Sequence, residues 1–243
     1  MPDGNFIPAG RGVSAGNGWR WIADAWAFTG QQRGTFIGVL LLYMLVVIVL
    51  NLVGIVGSLI CLLLLPVIKG GFLLGCDTLR RGGRLEVGHL FAGFQRHAGK
   101  LLTIGAISLA VGIVVVLVMF AVFGAAFGEM FLGGGLPSVE EFDALLLPLM
   151  LVVLIIIALS LPLYMATWFA VPLIVFGESD VVPALKTSFF ACLKNVLPFL
   201  VWSLAILWLG ILGAIPLFLG WLLLAPVAMA SIYLSYRDIF YDI

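Results

Sequence analysis

"ALLLPLMLVVLIIIALSLPLYMATWFAVPLIVFG", residues 144–177, runs for 34 residues without an Asp, Glu, Lys, Arg or His. As one straight helix at about 1.5 Å per residue it would measure roughly 50 Å, against a bilayer hydrocarbon core of about 30 Å. As two helices joined by a turn it is short. The choice sets whether the chain crosses a membrane an even or an odd number of times, and so which segments share a side. Pro148, Pro162 and Pro172 punctuate the stretch. Each removes a backbone hydrogen bond and favours a kink, and a kinked, tilted span absorbs extra length. The residues leave open whether the span is kinked or broken.

That the setting is a membrane follows from the rest of the chain. Of 243 residues, 63% are hydrophobic and 10% charged, with a mean hydropathy of +1.25. Soluble domains carry about 25% charged residues, so a water-soluble globule is excluded. Three more charge-free stretches occur, 34–68, 101–128 and 195–236. The first is too long for one span and holds "NLVGIVG" (51–57), which predicts a hairpin with spans over 35–52 and 54–76. The last is read the same way, turning near Gly210, Gly213 and Pro216. Residues 101–128 fit one span. No apolar core precedes residue 35, so no cleavable signal peptide is expected. Cys61, Cys76 and Cys192 are odd in number and irregular in spacing, which argues against a disulfide framework.

Charge decides the count. All 12 basic residues fall in segments 1–33, 69–100, 178–194 and 237–243, whereas 129–143 has four acids and no base. With one span over 144–177 there are six crossings, and every basic segment shares a side. The excess of Lys and Arg then places both termini in the cytoplasm. Two spans there would bring "EEFD" (140–143) to the side of Lys186 and Lys194.

Three amphipathic segments precede span hairpins. In "VPALKTSFFACLKNV" (182–196), Val182, Leu185, Phe189, Cys192, Leu193 and Val196 share one helical face, with Lys186, Thr187 and Lys194 mostly opposite. Such a helix suits the headgroup plane. Glu178, Ser179 and Asp180 offer capping oxygens, and Pro183 sits in the first turn. In "LEVGHLFAGFQRHAGKLL" (85–102), Val87, Leu90, Phe91 and Phe94 oppose His89 and Arg96. In "GWRWIADAWAF" (18–28), Trp19, Ile22 and Trp26 line one side, blurred by Trp21 and Phe28. The expected fold is all-α and polytopic: six transmembrane helices with three cytoplasmic-side interfacial helices. A polar tail, 1–18, precedes a membrane domain, 19–236, and a short tail, 237–243, follows it. The domain reads as three helix-plus-hairpin units, 19–79, 86–177 and 180–236.

Four pieces together, "PAGRG…GWRWIADAW", "MATWFAVPLIVF", "ALKTSFFACLKNVLPFL" and "ASIYLSYRDIF", resemble an uncharacterised proteobacterial family of six-span inner-membrane proteins. More distantly, the third piece is similar to the membrane domain attached to some glycerophosphodiester phosphodiesterases. The resemblance covers nearly the whole chain and implies a cytoplasm-in, multi-pass protein of a bacterial inner membrane. It implies no activity. No hydrophilic segment is long enough to be a phosphodiesterase domain, so that activity is not carried over.

The chemistry in the residues is sparse. Lys69 is the charge farthest inside a span and reads as snorkelling to the interface. Cys76, Asp77, His89 and His97 fit no metal-ligand spacing, and no nucleophile–base set or phosphate loop appears. Ser138 and Glu141 form a capping-box pattern at the start of the fourth span. Gly34/Gly38, Gly71/Gly75 and Gly124/Gly128 are small-xxx-small pairs suited to close packing. No catalytic residue, metal or cofactor is assigned. Arg80, Arg81, Arg84, Lys186 and Lys194 are the candidate contacts to anionic lipid. The expected partners are membrane lipids and as yet unidentified proteins, not nucleic acid. The expected role is a non-enzymatic lipid- or partner-organising membrane protein, with a transporter or exporter of an apolar or amphipathic solute as the alternative.

Topology reporters check the count. A periplasm-active reporter is expected to be active at Gly54 and Gly134 and silent at Ile243; activity at Ile243, or silence at Gly134, contradicts six spans.

Overall fold

The computed structural model of the chain describes residues 4–133 and 139–242. Ser138 and the side chains of Glu140, Glu141 and Asp143 lie outside that description. The elements in order are β1 (Asn5–Phe6), α1 (Asn17–Gly30), α2 (Arg33–Asn51), α3 (Ile55–Arg80), a 3₁₀ turn (Val87–Phe91) and α4 (Ala92–Gln95). There follow α5 (Ala98–Gly133), α6 (Val139–Trp168), α7 (Ala170–Gly177), α8 (Val181–Lys194), α9 (Val196–Ala214), α10 (Trp221–Phe240) and β2 (Tyr241–Asp242). Six stretches are long and apolar enough to cross a membrane, and one of them is Leu149–Gly177. The fold is all-α and polytopic, as expected from the sequence. The first hairpin turns at the predicted Gly54, whereas the second turns over residues 215–220, at Pro216 and past Gly210 and Gly213, which lie inside α9. Gly54, with φ +71°, opens α3. There Asn51 Nδ2 donates to the Val47 carbonyl and Asn51 Oδ1 accepts from Ser58 Oγ, each at 2.7 Å.

Two compact units are distinguishable, Met1–Gly105 with Met165–Ile243, and Ala106–Tyr164. The second consists of the later part of α5 and most of α6, whose side chains such as Leu117, Phe120, Leu147 and Met150 are exposed. The first holds α3 and α10 at its centre. Half of α3's most apolar window and 56% of α10's are buried, against 17% for α2 and 11% for α9. The latter two therefore present their Leu, Val and Ile side chains outward, the arrangement that lipid tails favour.

α1 turns Gly18, Trp21, Ile22, Ala25, Phe28 and Thr29 inward, an i, i+3, i+4 series, against α9 and α10. Trp19 and Trp26 point out. The helix therefore has two apolar faces, one for protein and one outward, and Ile22 belongs to the first rather than to the Trp19–Trp26 stripe. α8 shows the same division. It buries Ala184, Ser188, Ala191 and Cys192 and exposes Val182, Phe190 and Leu193 with Lys186. Of the face expected to be apolar and outward, Leu185 and Phe189 are half-buried and Cys192 is buried. Asp180 holds the N-cap position without capping the backbone. Its carboxylate instead lies 2.7 Å from Lys100 Nζ, and that hydrogen bond holds its pKa below the ordinary carboxylate value.

The middle segment corrects the expectation of a third interfacial helix. Residues 87–95 form a 3₁₀ turn and one α-turn, only Leu90 and Gly93 are buried, and Phe91 and Phe94 are exposed. Gly88 and Gly93 cost helix propensity, and His97 stands at φ +57°. The segment lies backbone-to-backbone on α3. A Cβ at Gly71 would collide with the carbonyls of His89 and Leu90, and one at Gly93 with the Val67 carbonyl. Of the small-residue pairs, Gly71 is used this way and Gly75 meets the Leu85 and His89 side chains, while Gly34 has nothing near it.

The stretch 144–177 is broken at Phe169, between α6 and α7. Pro172 has no N–H to give the carbonyl four residues back, that of Trp168. Lys69 Nζ takes the vacant place, donating to Trp168 O at 3.0 Å, with the Trp168 ring centre 5.5 Å away. One turn earlier a hydroxyl enters the helix ladder. Ser188 Oγ donates to Met165 O at 2.7 Å and accepts from Phe169 N–H at 2.9 Å. Cys192 Sγ also donates to Met165 O, at 3.4 Å. Burial pushes this thiol up to about 12, so it stays protonated and able to donate. Lys69 is thus held by a backbone carbonyl rather than snorkelling.

Ser188→Ala is expected to leave Met165 O and Phe169 N–H without their bridge, at a cost of about 1–3 kcal/mol. In detergent the unfolding midpoint should fall by roughly 3–10 °C. A midpoint equal to wild type shows that the break needs no hydroxyl.

Candidate functional site

The ends of α3, α7 and α10 meet at one place, and the local sequences explain what they carry. In α3, Asp77, Arg80 and Arg81 are spaced i, i+3, i+4, which brings an acid and two bases onto one face. In α10, Tyr233, Tyr236 and Arg237 have the same spacing. Arg80 and Arg237 occupy the last turns of their helices, where the carbonyl end of the helix dipole favours a cation.

Asp77 is the hub of the α3 side. Its Oδ1 accepts from Tyr233 Oη at 2.7 Å and from Arg80 Nη2 at 3.1 Å. Its Oδ2 accepts from Arg81 Nε at 2.7 Å. Arg80 Nε donates to Tyr233 Oη at 2.9 Å, closing a triangle. Arg80's side chain is 10% exposed and Arg81's 62%. On the α10 side Arg237 is 7% exposed, with its guanidinium 4.2 Å from the centre of the Tyr241 ring. Between these groups lies a cavity of about 250 Å³ lined by Asp77, Arg81, Tyr233, Tyr236 and Arg237, with Phe176 and Tyr241 completing the wall. Tyr236 is fully buried, and its Oη makes no hydrogen bond among the described residues.

Beside the cavity the two chain ends are fastened together. β1 pairs antiparallel with β2, Phe6 opposite Tyr241. Asp238 accepts from Asn17 Nδ2 and Trp21 Nε1, each at 2.7 Å, and from Arg11 Nη2 at 3.2 Å; Arg11 Nε donates to the Asp238 carbonyl at 2.8 Å. Buried Asn195 clips the same arm, accepting from Val13 N–H at 2.8 Å and donating to Arg11 O at 2.9 Å. The N-terminal segment is therefore docked rather than trailing, and α10 runs through Phe240.

The five sequence-predicted contacts separate accordingly. Arg80 is turned inward into the Asp77 triangle, and Lys194 Nζ donates to the carbonyls of Ala9 and Gly10 at 3.1 and 3.3 Å. Arg81, Arg84 and Lys186 are exposed. Asp77 brings Arg80 and Arg81 together. Tyr233, Tyr236 and Arg237 were not singled out by sequence; their helical spacing at a span's end was the available signal. Cys76 is buried beside this site and His89 lies over α3, and among the described residues no group of three His, Cys, Asp or Glu side chains assembles.

The chain is similar to a Burkholderia thailandensis protein described as a "probable inner membrane protein". The two are 29% identical over 212 residues, covering 82% of this chain and 74% of the relative. No protein-family model matches the chain, and no solved structure matches it. The likeness to the phosphodiesterase membrane domain finds no support among these comparisons. Taken with six apolar helices, they identify a multi-pass integral protein of the inner membrane.

Proposed function

We propose that this protein is a non-enzymatic organiser of anionic lipid at the basic, cytoplasmic end of its helices. The observation that carries the reading is the outward face of α1 and α8. Both helices bury small or inward-facing residues and expose Trp19, Trp26, Val182, Phe190 and Leu193. Arg20 and Lys186 are exposed on the same helices, and Arg33 sits 4.9 Å from the centre of the Trp26 ring. Large apolar side chains interleaved with cations suit the headgroup boundary, and tryptophan favours that depth. Arg81 and Arg84, just past the end of α3, extend the basic rim.

A transport role draws on the broken fourth span, because interrupted helices line solute paths in many carriers. Here the freed backbone groups are occupied by Ser188, Cys192 and Lys69, which favours a structural break. Solute flux in proteoliposomes would reinstate transport.

The test uses rim bases that hold nothing else in the fold. Arg80 and Lys194 are unsuitable, since both bind other parts of the protein. Each surface base contributes about 1 kcal/mol toward an anionic membrane. Arg84→Gln with Lys186→Gln should therefore lower affinity for phosphatidylglycerol roughly 30-fold, measured as anionic lipid retained through purification. Retention equal to wild type, with localisation unchanged, sinks the lipid reading.

A further inference from the structure

We propose that a groove between α1, α2 and α10 seats a single anionic phospholipid, with its phosphate on Arg33 and one acyl chain running along the groove. Such a site rests on the lipid reading and gives it one saturable occupant, held by residues other than Arg84 and Lys186.

Arg33 opens α2 and is exposed, yet its guanidinium is held in place. It lies 4.9 Å from the centre of the Trp26 ring, and a Cβ at Gly30 would stand 3.7 and 3.8 Å from its Nε and Nη2. Among the described residues Arg33 makes no ion pair and no hydrogen bond, and the Trp26 indole N–H has no acceptor. Thr29, the other polar side chain lining the groove, keeps its proton inside α1 by donating to Ala25 O at 2.9 Å. This end therefore offers donors and a positive charge, and no acid lines it. Arginine meets a phosphate bidentately, and a guanidinium already ordered on an aromatic face loses less freedom in doing so.

The start of α2 stands at headgroup height. Gln32 Oε1 accepts from Leu85 N–H at 3.1 Å, which puts Arg33 beside the loop that carries Arg84 at the basic end. From there the groove is apolar. Phe36, Pro226 and Val227 are buried along its floor, and Ile37, Leu222 and Leu223 form its partly exposed sides. Leu222 comes fifteen residues before Arg237 in α10, about 22 Å along the helix. The groove thus leads from a cation among headgroups to the depth of the hydrocarbon. It is shallow and open outward, so a chain lies along it rather than inside it. A free anion would use only the first part and an uncharged apolar solute only the second. An amphiphile with an anionic head uses both.

The full-length protein in detergent is titrated with dioctanoyl phosphatidylglycerol, and bound lipid is counted by native mass spectrometry. Dioctanoyl phosphatidylcholine and glycerol phosphate are the parallel probes. One saturable phosphatidylglycerol per chain is expected, with each of the other probes needing about tenfold more. Arg33→Gln should raise half-saturation roughly five- to tenfold. Ile37→Trp fills the groove and leaves the cation, and should raise it at least as far. Neither side chain is buried. The Arg84→Gln/Lys186→Gln protein should keep the wild-type half-saturation while retaining less lipid through purification.

Unchanged half-saturation in either Arg33→Gln or Ile37→Trp overturns the groove; the rim reading then stands if the rim pair still loses lipid. Equal affinity for phosphatidylcholine overturns the anionic head, and equal affinity for glycerol phosphate overturns the chain. A shift of half-saturation in the rim pair moves the lipid out of the groove. No saturable phosphatidylglycerol, with lipid retention unchanged in the rim pair, overturns both readings.

Discussion

In hydrocarbon no water can serve an unpaired amide, so every backbone N–H and C=O in a span needs a partner inside the protein. The fourth span breaks that rule in its own helix, at Pro172 and Phe169, and the rest of the first unit is arranged to repair it. Ser188 must reach into the gap, so α8 has to lie close against it. That close approach requires Ala184, Ala191 and Ser188 itself on the contact face. Lys69 must reach Trp168 O, which sets the height of α3 relative to α7. With that height fixed, Asp77 and Arg80, two to three turns further along α3, come level with Tyr233 on α10 and beside Phe176 at the end of α7. The cavity at the basic end thus depends on Pro172, which lies in the same short helix as Phe176 of its wall.

Association in a membrane gains little from excluding lipid from apolar surfaces, since lipid tails are as apolar as leucine. Contacts are won by close approach and by polar groups. The structure follows this consistently. Gly71 meets the 3₁₀ turn through bare backbone, Trp202 Nε1 donates to Ser231 Oγ at 2.8 Å, and Asn195 fastens the N-terminal arm. Large side chains are relegated outward wherever small ones do the packing. An outward Phe190 or Trp26 is then available to the bilayer boundary, which is how a packing rule becomes a lipid-facing surface.

The same physics explains what could be read from the sequence. Span number, hairpin turns at Gly54 and near Pro216, and a single crossing over 144–177 were legible, because charge-free length and the placement of Lys and Arg are strong signals; whether that crossing is kinked or broken was not. Helix faces were not. Hydrophobic periodicity separates protein from water, but in a bilayer both the protein and the lipid sides are apolar, so Ile22 and Trp26 looked alike. The useful signal was size, in the small-residue series of α8. The 3₁₀ segment was mistaken for a helix because its apolar stripe outweighed Gly88 and Gly93. Asp77 drew attention only as one of four groups weighed against metal-ligand spacing, and its partner Tyr233, 156 positions away, was beyond any local pattern. "GWRWIADAW" and "SYRDIF", quoted as separate pieces of one resemblance, turn out to be the two halves of the Asp238 clasp.

Most polar side chains at the basic end are explained by holding the fold. Asp77 orders Arg80 and Tyr233; Asp238 orders Arg11, Asn17 and Trp21; Lys194 and Asn195 secure the arm. Each of these would be selected even in a protein that bound nothing. Arg237 is held in part by the Tyr241 ring, whose centre lies 4.2 Å from its guanidinium, a contact worth about 2 kcal/mol or more when desolvated. Tyr236 is different, since a phenylalanine would fill its place with no hydrogen bond lost among the described residues. A fold that needs only packing there has no use for the oxygen. The Tyr236 side chain is placed instead by aromatic packing, against Phe176, Phe240 and Tyr241.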